Sequence, residues 1–201
     1  MSRIIVLRHG QTEWNDEGRF QGSVDVDLNA AGRAQAAQAA KRLADERPTM
    51  VVSSDLRRAL DTARMVADAA GVGLDTDERL RERAYGPWEG LTRRQIAERY
   101  PATFERWNKQ LPFALAGIEA PTRVARRTVE ALRDVADRVG DGTAVVVTHG
   151  GASRQGIAAF LGWEQGQAST VSGLGNCHWA DLKRDASGWR MHGYNLSAEN
   201  S

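Results

Sequence analysis

The chain carries a single cysteine, Cys177, among its 201 residues. One thiol excludes an internal disulfide framework and any metal centre built from several thiolates. Neither sign of charge is in excess, since 27 basic and 26 acidic residues leave a net charge of +1. Nothing in that balance draws the chain to nucleic acid or to a membrane surface. No apolar run reaches the ~18 residues of a membrane span, and no signal-peptide core follows the N-terminus, so a cytoplasmic location is expected. Low-complexity stretches, internal repeats and breaks in composition are also missing. With 41% hydrophobic and 26% charged residues, the chain is expected to form one soluble domain over residues 1–201.

Three short apolar runs are present, Ile4–Leu7, Met50–Val52 and Ala144–Val147. They are apolar at successive positions, as strands buried on both faces are. Helical patterns lie between them. Ala30–Arg47 is Ala-rich behind Asn29, a plausible N-cap. Ser53-Ser54-Asp55 offers cap chemistry for a helix running to Ala70, which Gly71 stops. Pro101 splits Thr92–Tyr100 from Ala102–Gln110, and Pro121 opens a helix to about Val139. Gly150-Gly151 leads into a helix ending near Leu161. Asn176–Lys183 and Trp189–Tyr194 alternate and are expected as edge strands, paired antiparallel through Asp185–Gly188, with Cys177 as a half-buried hydrophobe. The expected fold is α/β, with a mainly parallel central sheet, helices on both faces and an antiparallel edge strand.

Ligands of such sheets sit beyond the carboxyl ends of the strands. That is where this chain places its charges. The first run ends in Arg8-His9-Gly10, the third in Thr148-His149-Gly150-Gly151, and the second leads to Arg57-Arg58. Glycines let backbone amides approach a ligand closely, and the helix start after Gly150 favours an anion. Arginine adds a permanently charged fork that matches phosphate oxygens. An anion of high charge density, such as a phosphate, is the expected occupant.

Five segments carry a family likeness: RHGQTEWN at 8–15, FQGSVDVDLNAAG at 20–32, SSDLRRALDTA at 53–63, LRERAYGPWEG at 80–90 and VVVTHGGASR at 145–154. In this order the chain resembles the histidine phosphatase superfamily, the phosphoglycerate-mutase-like proteins. Its tail, LGNCHWADL then GWRMHGYNLSAENS, is most similar to actinobacterial phosphatases that include glucosyl-3-phosphoglycerate phosphatases. The resemblance implies a metal-independent phosphomonoesterase with no cofactor, acting on a small-molecule phosphate ester. His9 would be the nucleophile, forming a phosphohistidine, with its second ring nitrogen held as N–H by a backbone carbonyl. Arg8, Arg58 and His149 would surround the phosphoryl oxygens. Asn15, Gln21, Gly22 and the Gly150 amide would complete the lining. Glu82 matches the family's general acid and Glu89 is its decoy, in a Trp-Glu-Gly turn.

Some residues have blander readings. His178 and His192 carry no motif and are assigned to surface or packing, and Arg57 to solvent. Arg83, Tyr85, Arg93 and Arg94 could meet a second anionic group, although Arg93 and Arg94 also fit a solvated helix start. Trp14 could brace the phosphate loop. Residues 107–122 stand where the family keeps a substrate-facing insertion. They are either an apolar lid, through Phe113 and Ile118, or core packing. Many relatives read Gly-Gly-Glu-Ser there, where this chain has Gly117-Ile118-Glu119-Ala120. Two other functions compete, a cofactor-dependent phosphoglycerate mutase and a non-catalytic phospho-ligand-binding module. The short span from Glu82 to His149, and Ala84 in place of the mutases' histidine, count against the first. A homodimer is allowed by the sequence, which leaves oligomeric state open.

Overall fold

The computed structural model describes residues 2–164 and 166–200. Six strands form one sheet: β1 (Arg3–Arg8), β2 (Met50–Ser53), β3 (Leu74–Thr76), β4 (Thr143–Thr148), β5 (Trp179–Asp185) and β6 (Gly188–Leu196), in the order β3-β2-β4-β1-β5-β6. The first four run parallel, and β5 and β6 are antiparallel to their neighbours. Only β6 is an edge among the two late strands. β5 pairs with β1 along Arg3–Leu7 and is interior, contrary to the sequence expectation. At the other edge, β3 is three residues long and mostly exposed, too short and polar to show as an apolar run.

The continuous apolar character of the strands follows from two-sided burial. Ile5, Leu7, Val51, Val145 and Val147 point to one face, where they meet Ala36, Ala39, Leu43, Ala59, Ala63 and Val66. These come from α2 (Ala30–Ala44) and α3 (Arg57–Ala70). Ile4, Val6, Val52, Ala144 and Val146 point to the other face, against Leu132, Val135 and Ile157. Those belong to the helices over Pro121–Val139 and Gly150–Phe160. The four apolar residues of β1 are each 1% exposed or less. Their burial is worth roughly 6–12 kcal/mol at ~1.5–3 kcal/mol each, an upper bound because the unfolded chain already hides some surface.

A short α1 (Glu13–Asp16) follows β1, capped by Thr12 and Asn15 in a reciprocal box. Further on come α4 (Arg93–Arg99), α5 (Pro101–Asn108), α6 (Pro121–Val139) and α7 (Gly150–Phe160). Pro101 and Pro121 each sit in the first turn of their helix, and Gly71 ends α3 with φ of 68°. The start of α3 differs from expectation. Its N-cap is Leu56 with no side-chain cap, and Asp25 from a distant loop accepts from the Arg57 amide at 2.7 Å. Ser54 Oγ accepts from the Leu56 amide at 3.3 Å and has a second task. Cys177 also departs from expectation: it precedes β5 with φ of 54° and is 5% exposed.

Candidate active site

Register brings the histidines together. Arg8 pairs with Thr148 across β1 and β4, so His9 and His149 leave adjacent strands side by side, with ring centroids 5.1 Å apart. Ser53 pairs with Val147, which sets Ser54 beside the same strand end. The Ser54 hydroxyl lies 2.9 Å from His149 Nε2. Thus the serine that reads as a helix cap is a histidine holder, a role that no local pattern marks.

His9 Nδ1 lies 2.7 Å from the Gly10 carbonyl. A carbonyl only accepts, so Nδ1 carries the proton and Nε2 keeps a free lone pair. Gly10 is demanded by packing. A Cβ there would lie 2.4 Å from the Gly32 carbonyl oxygen, and one on Gly32 would lie 1.9 Å from that of Gln11. The start of α2 therefore presses directly on the turn that presents His9. Burial holds both histidines well below the usual imidazole pKa, helped first by the Arg58 charge and then by other neighbours including Arg8. They are neutral at physiological pH.

Two guanidiniums flank them. Arg58 is fully buried, and its Nη1 and Nη2 donate to the carbonyls of Val24 at 2.7 Å and Gly22 at 2.8 Å. Asp25, by capping α3, holds the loop that supplies those carbonyls, and Glu89 braces it from the far side. Glu89 Oε1 accepts from Ser23 N, Ser23 Oγ and Tyr85 N at 2.9–3.0 Å. Glu89 thus ties this loop to the Tyr85 backbone. Arg8 donates through Nη1 to the Leu174 carbonyl at 2.6 Å. Burial lowers the pKa of both arginines, that of Arg58 to about 10, and both stay cationic. Arg8 Nε, Arg58 Nε and His149 Nδ1 are buried without a protein partner. Each such polar group costs ~1–3 kcal/mol unless a ligand satisfies it.

Asn15 is turned by its neighbours. Its Oδ1 accepts from Thr12 N, Thr12 Oγ1 and Asn176 Nδ2, each at 3.2 Å, which leaves its amide N–H groups for a ligand. Asn176 also donates to the His9 carbonyl at 3.1 Å, a positioning role absent from the sequence reading. Thr62, likewise unforeseen, accepts from the Gly10 amide at 3.1 Å. A cavity of about 310 Å³ is lined by Arg8, His9, Asn15, Gln21, Gly22, Arg58, Glu82 and Tyr85, all of them candidates from the sequence. Gly18, Arg19, Phe20, Arg93 and Trp107 complete it. His149 lies behind His9, Gly150 packs against Arg8, and Arg83 turns away to donate to the Glu119 carbonyl at 2.7 Å.

The helix start at α7 is occupied by a protein carboxyl group. Glu82 Oε1 accepts from Arg83 N at 2.7 Å and Ala152 N at 2.9 Å, and Oε2 from Gly151 N at 2.9 Å. Three of about four lone-pair sites on the carboxylate are used, which leaves one for a reacting group. The helix start that the sequence offers to an anion receives Glu82 at the Gly151 and Ala152 amides.

The insertion at 107–122 has a mixed character. Phe113 stacks on fully buried Trp88 at 5.6 Å, and Ile118 bridges the Tyr85 backbone. Neither lines the cavity. Trp107 does, with the Arg93 guanidinium 4.7 Å over its ring. Trp14 packs near Gly90, where a Cβ would lie 3.4 Å from its ring. His178 bonds Asn195 at 3.1 Å, His192 is exposed, and Arg57 pairs with Asp25 and Asp27 at the surface. A second groove of about 330 Å³, between β3 and α6, contains Asp77, Arg79, Asp134 and Arg138. Those four charges pair with each other or with Asp75, and the groove contains no histidine. Among the described residues, no group of three His, Cys, Asp or Glu side chains is arranged to hold a metal ion, and no helix is long and apolar enough to cross a membrane.

This geometry agrees with the sequence comparisons. A glucosyl-3-phosphoglycerate phosphatase of Mycolicibacterium vanbaalenii is 36% identical, over 98% of this chain and 96% of the relative. A metal-independent phosphoserine phosphatase of Arabidopsis thaliana is 36% identical over 77% of this chain and 66% of its own. The solved structure of a mycobacterial glucosyl-3-phosphoglycerate phosphatase complexed with VO3 superposes with a TM-score of 0.90 at 34% identity, covering 97% of this chain and 99% of that one. The profile of the histidine phosphatase superfamily (branch 1) matches residues 4–197. The chain belongs to the histidine phosphatase superfamily and is a phosphomonoesterase of that family.

Proposed function

We propose that the enzyme cleaves phosphomonoesters through a phosphohistidine on His9. The single observation that carries this reading is the bond from His9 Nδ1 to the Gly10 carbonyl. It leaves Nε2 unprotonated amid the unpartnered Arg8 Nε, Arg58 Nε and His149 Nδ1. Nε2 attacks phosphorus as the P–O bond to the alcohol breaks. The arginines, His149, Asn15 and Gln21 take up the charge spread over the equatorial oxygens. The phosphate charge of the incoming ester favours the protonated form of Glu82, which delivers that proton to the departing alkoxide. Glu82 then takes one from the water that attacks the phosphohistidine, releasing inorganic phosphate and restoring His9. All positive charge in this scheme comes from side chains.

The outer cavity bears on the substrate. Arg93 makes no ion pair among the described residues, and its one side-chain hydrogen bond, to Asn108, is 3.4 Å long. Held over Trp107, it offers free donors to a second anionic group on the alcohol, while Phe20, Tyr85 and Trp107 offer an aromatic wall. A carboxylate-bearing ester derived from phosphoglycerate suits this arrangement, in keeping with the names of the relatives. We place the enzyme in the cytoplasm, in keeping with such metabolites and with one buried free thiol.

The test is hydrolysis of p-nitrophenyl phosphate by wild type and His9→Ala with saturating EDTA. Wild type should turn over undiminished, the variant should be inactive, and a quench in alkaline detergent, in which the P–N bond persists, should trap phosphate on wild-type protein alone. Loss of turnover on chelation, restored by magnesium, would refute the mechanism. The carboxylate reading predicts that Arg93→Gln weakens 3-phosphoglycerate more than glycerol 3-phosphate as competitors of that reaction.

A further inference from the structure

We propose that Arg127 and Glu119 form a positioning pair that sets the register of the Glu82 segment for proton transfer. The inference rests on Glu82 serving as the acid.

Residues 79–84 have no strand or helix ladder beyond the turn at Glu78–Leu80, so their carbonyls need donors from elsewhere. Arg127, on α6, supplies them. Its Nη1 donates to the carbonyls of Arg79 at 2.7 Å and Arg81 at 2.5 Å, and Nη2 donates to that of Glu82 at 3.1 Å. The other side of the fork grips Glu119, with Nε to Oε1 and Nη2 to Oε2, both 2.9 Å. Glu119 in turn holds the same segment. Its amide donates to the Ala84 carbonyl at 2.9 Å, and its carbonyl accepts from Arg83 Nε at 2.7 Å. Arg127 and Glu119 are only 18% and 12% exposed, so water is a poor substitute for either.

The backbone around Glu82 is thus clamped by Arg127 and Glu119, while its carboxylate is gripped by the α7 amides. Proton transfer requires a heavy-atom approach of roughly 2.6–3.2 Å, and a shift of about 1 Å can cost ~10²-fold in rate. A lysine cannot reach three carbonyls and a carboxylate at once, because it lacks the planar fork. Glu119 also closes the insertion that begins at Trp107, so the pair joins the substrate-facing wall to the acid.

The experiment compares an alkyl phosphate that the enzyme turns over with p-nitrophenyl phosphate, whose leaving group needs little protonation. Glu82→Gln calibrates the assay, with a selective loss on the alkyl ester. Arg127→Lys and Glu119→Gln should then lose ~10- to 100-fold in kcat on the alkyl ester and less than ~3-fold on the aryl ester, with vanadate inhibition unmoved. Guanidinium in the buffer should restore part of the rate of Arg127→Ala. Arg123→Gln is the control, since Arg123 meets Glu119 only at 3.7 Å and is 73% exposed. Losses equal on both esters, or a lower Tm alone, would reduce the pair to scaffolding and overturn the proposal. If Glu82→Gln itself shows no dependence on the leaving group, the acid assignment falls and the pair with it.

Discussion

Gly151→Ala isolates the cradle of the acid. A Cβ at Gly151 would lie 2.6 Å from Glu82 Oε1 and 3.2 Å from its Cδ. Ordinary van der Waals contact begins near 3.4 Å, so the carboxylate must retreat by the better part of an ångström, at the expense of its bonds to the Gly151 and Ala152 amides. A displacement of that size predicts a loss of up to ~10²-fold where proton transfer limits the rate. The helix itself should not suffer. Alanine is favoured over glycine in a helix by up to ~1 kcal/mol, so the thermal midpoint should hold or rise. The assay is kcat on an alkyl phosphate and on p-nitrophenyl phosphate, beside a melting curve. A large loss is expected on the first, a small one on the second, and an intact fold. Equal losses on both esters would show that the methyl disturbs the phosphate site. No loss at all would show that Glu82 works from another position, and would refute the cradle.

Acidification should destabilise the fold through His9 and His149. Their folded pKa values lie below the unfolded value of ~6.5, so the unfolded chain binds more protons and stability is lost as pH falls below that value. The slope is at most ~1.4 kcal/mol per pH unit for each histidine; thermal melts at about pH 7.5 and 5.5 should show it, and His149→Asn should flatten it. An unchanged slope in that variant would put the dependence elsewhere. Phe113→Ala should lower the melting temperature by removing the stack on Trp88, with little change in ester selectivity, whereas Trp107→Ala should alter selectivity with little change in vanadate inhibition. The opposite pattern, measured as kcat/KM over bulky and small esters, would make Phe113 the substrate-facing residue.

Much of the fold was legible because burial leaves a direct mark on composition. Ile4–Leu7 and Ala144–Val147 had to be apolar at every position, since each successive side chain meets a different helical layer. Prolines and glycines marked helix ends because those residues restrict or free the backbone locally. Arg8, His9, Arg58 and His149 were legible for a related reason: charged residues at the carboxyl ends of buried strands stand out. What stayed hidden depends on pairs distant in sequence. Ser54 looks like a cap and holds His149; Asp25 does the capping, 32 residues away from Arg57. Arg127 is one of several arginines on α6 until the chain folds and three carbonyls near Glu82 converge on it. Likewise, the sequence shows a helix start after Gly150 that favours an anion, and that Glu82 meets it at Gly151 follows only when β4 and the Leu80 segment meet, with Thr148 Oγ1 bonding the Leu80 carbonyl at 2.7 Å. Local chemistry determined which residues could act on a phosphate. Strand register and the helices packed on the sheet decided which atoms of those residues were left free to do so.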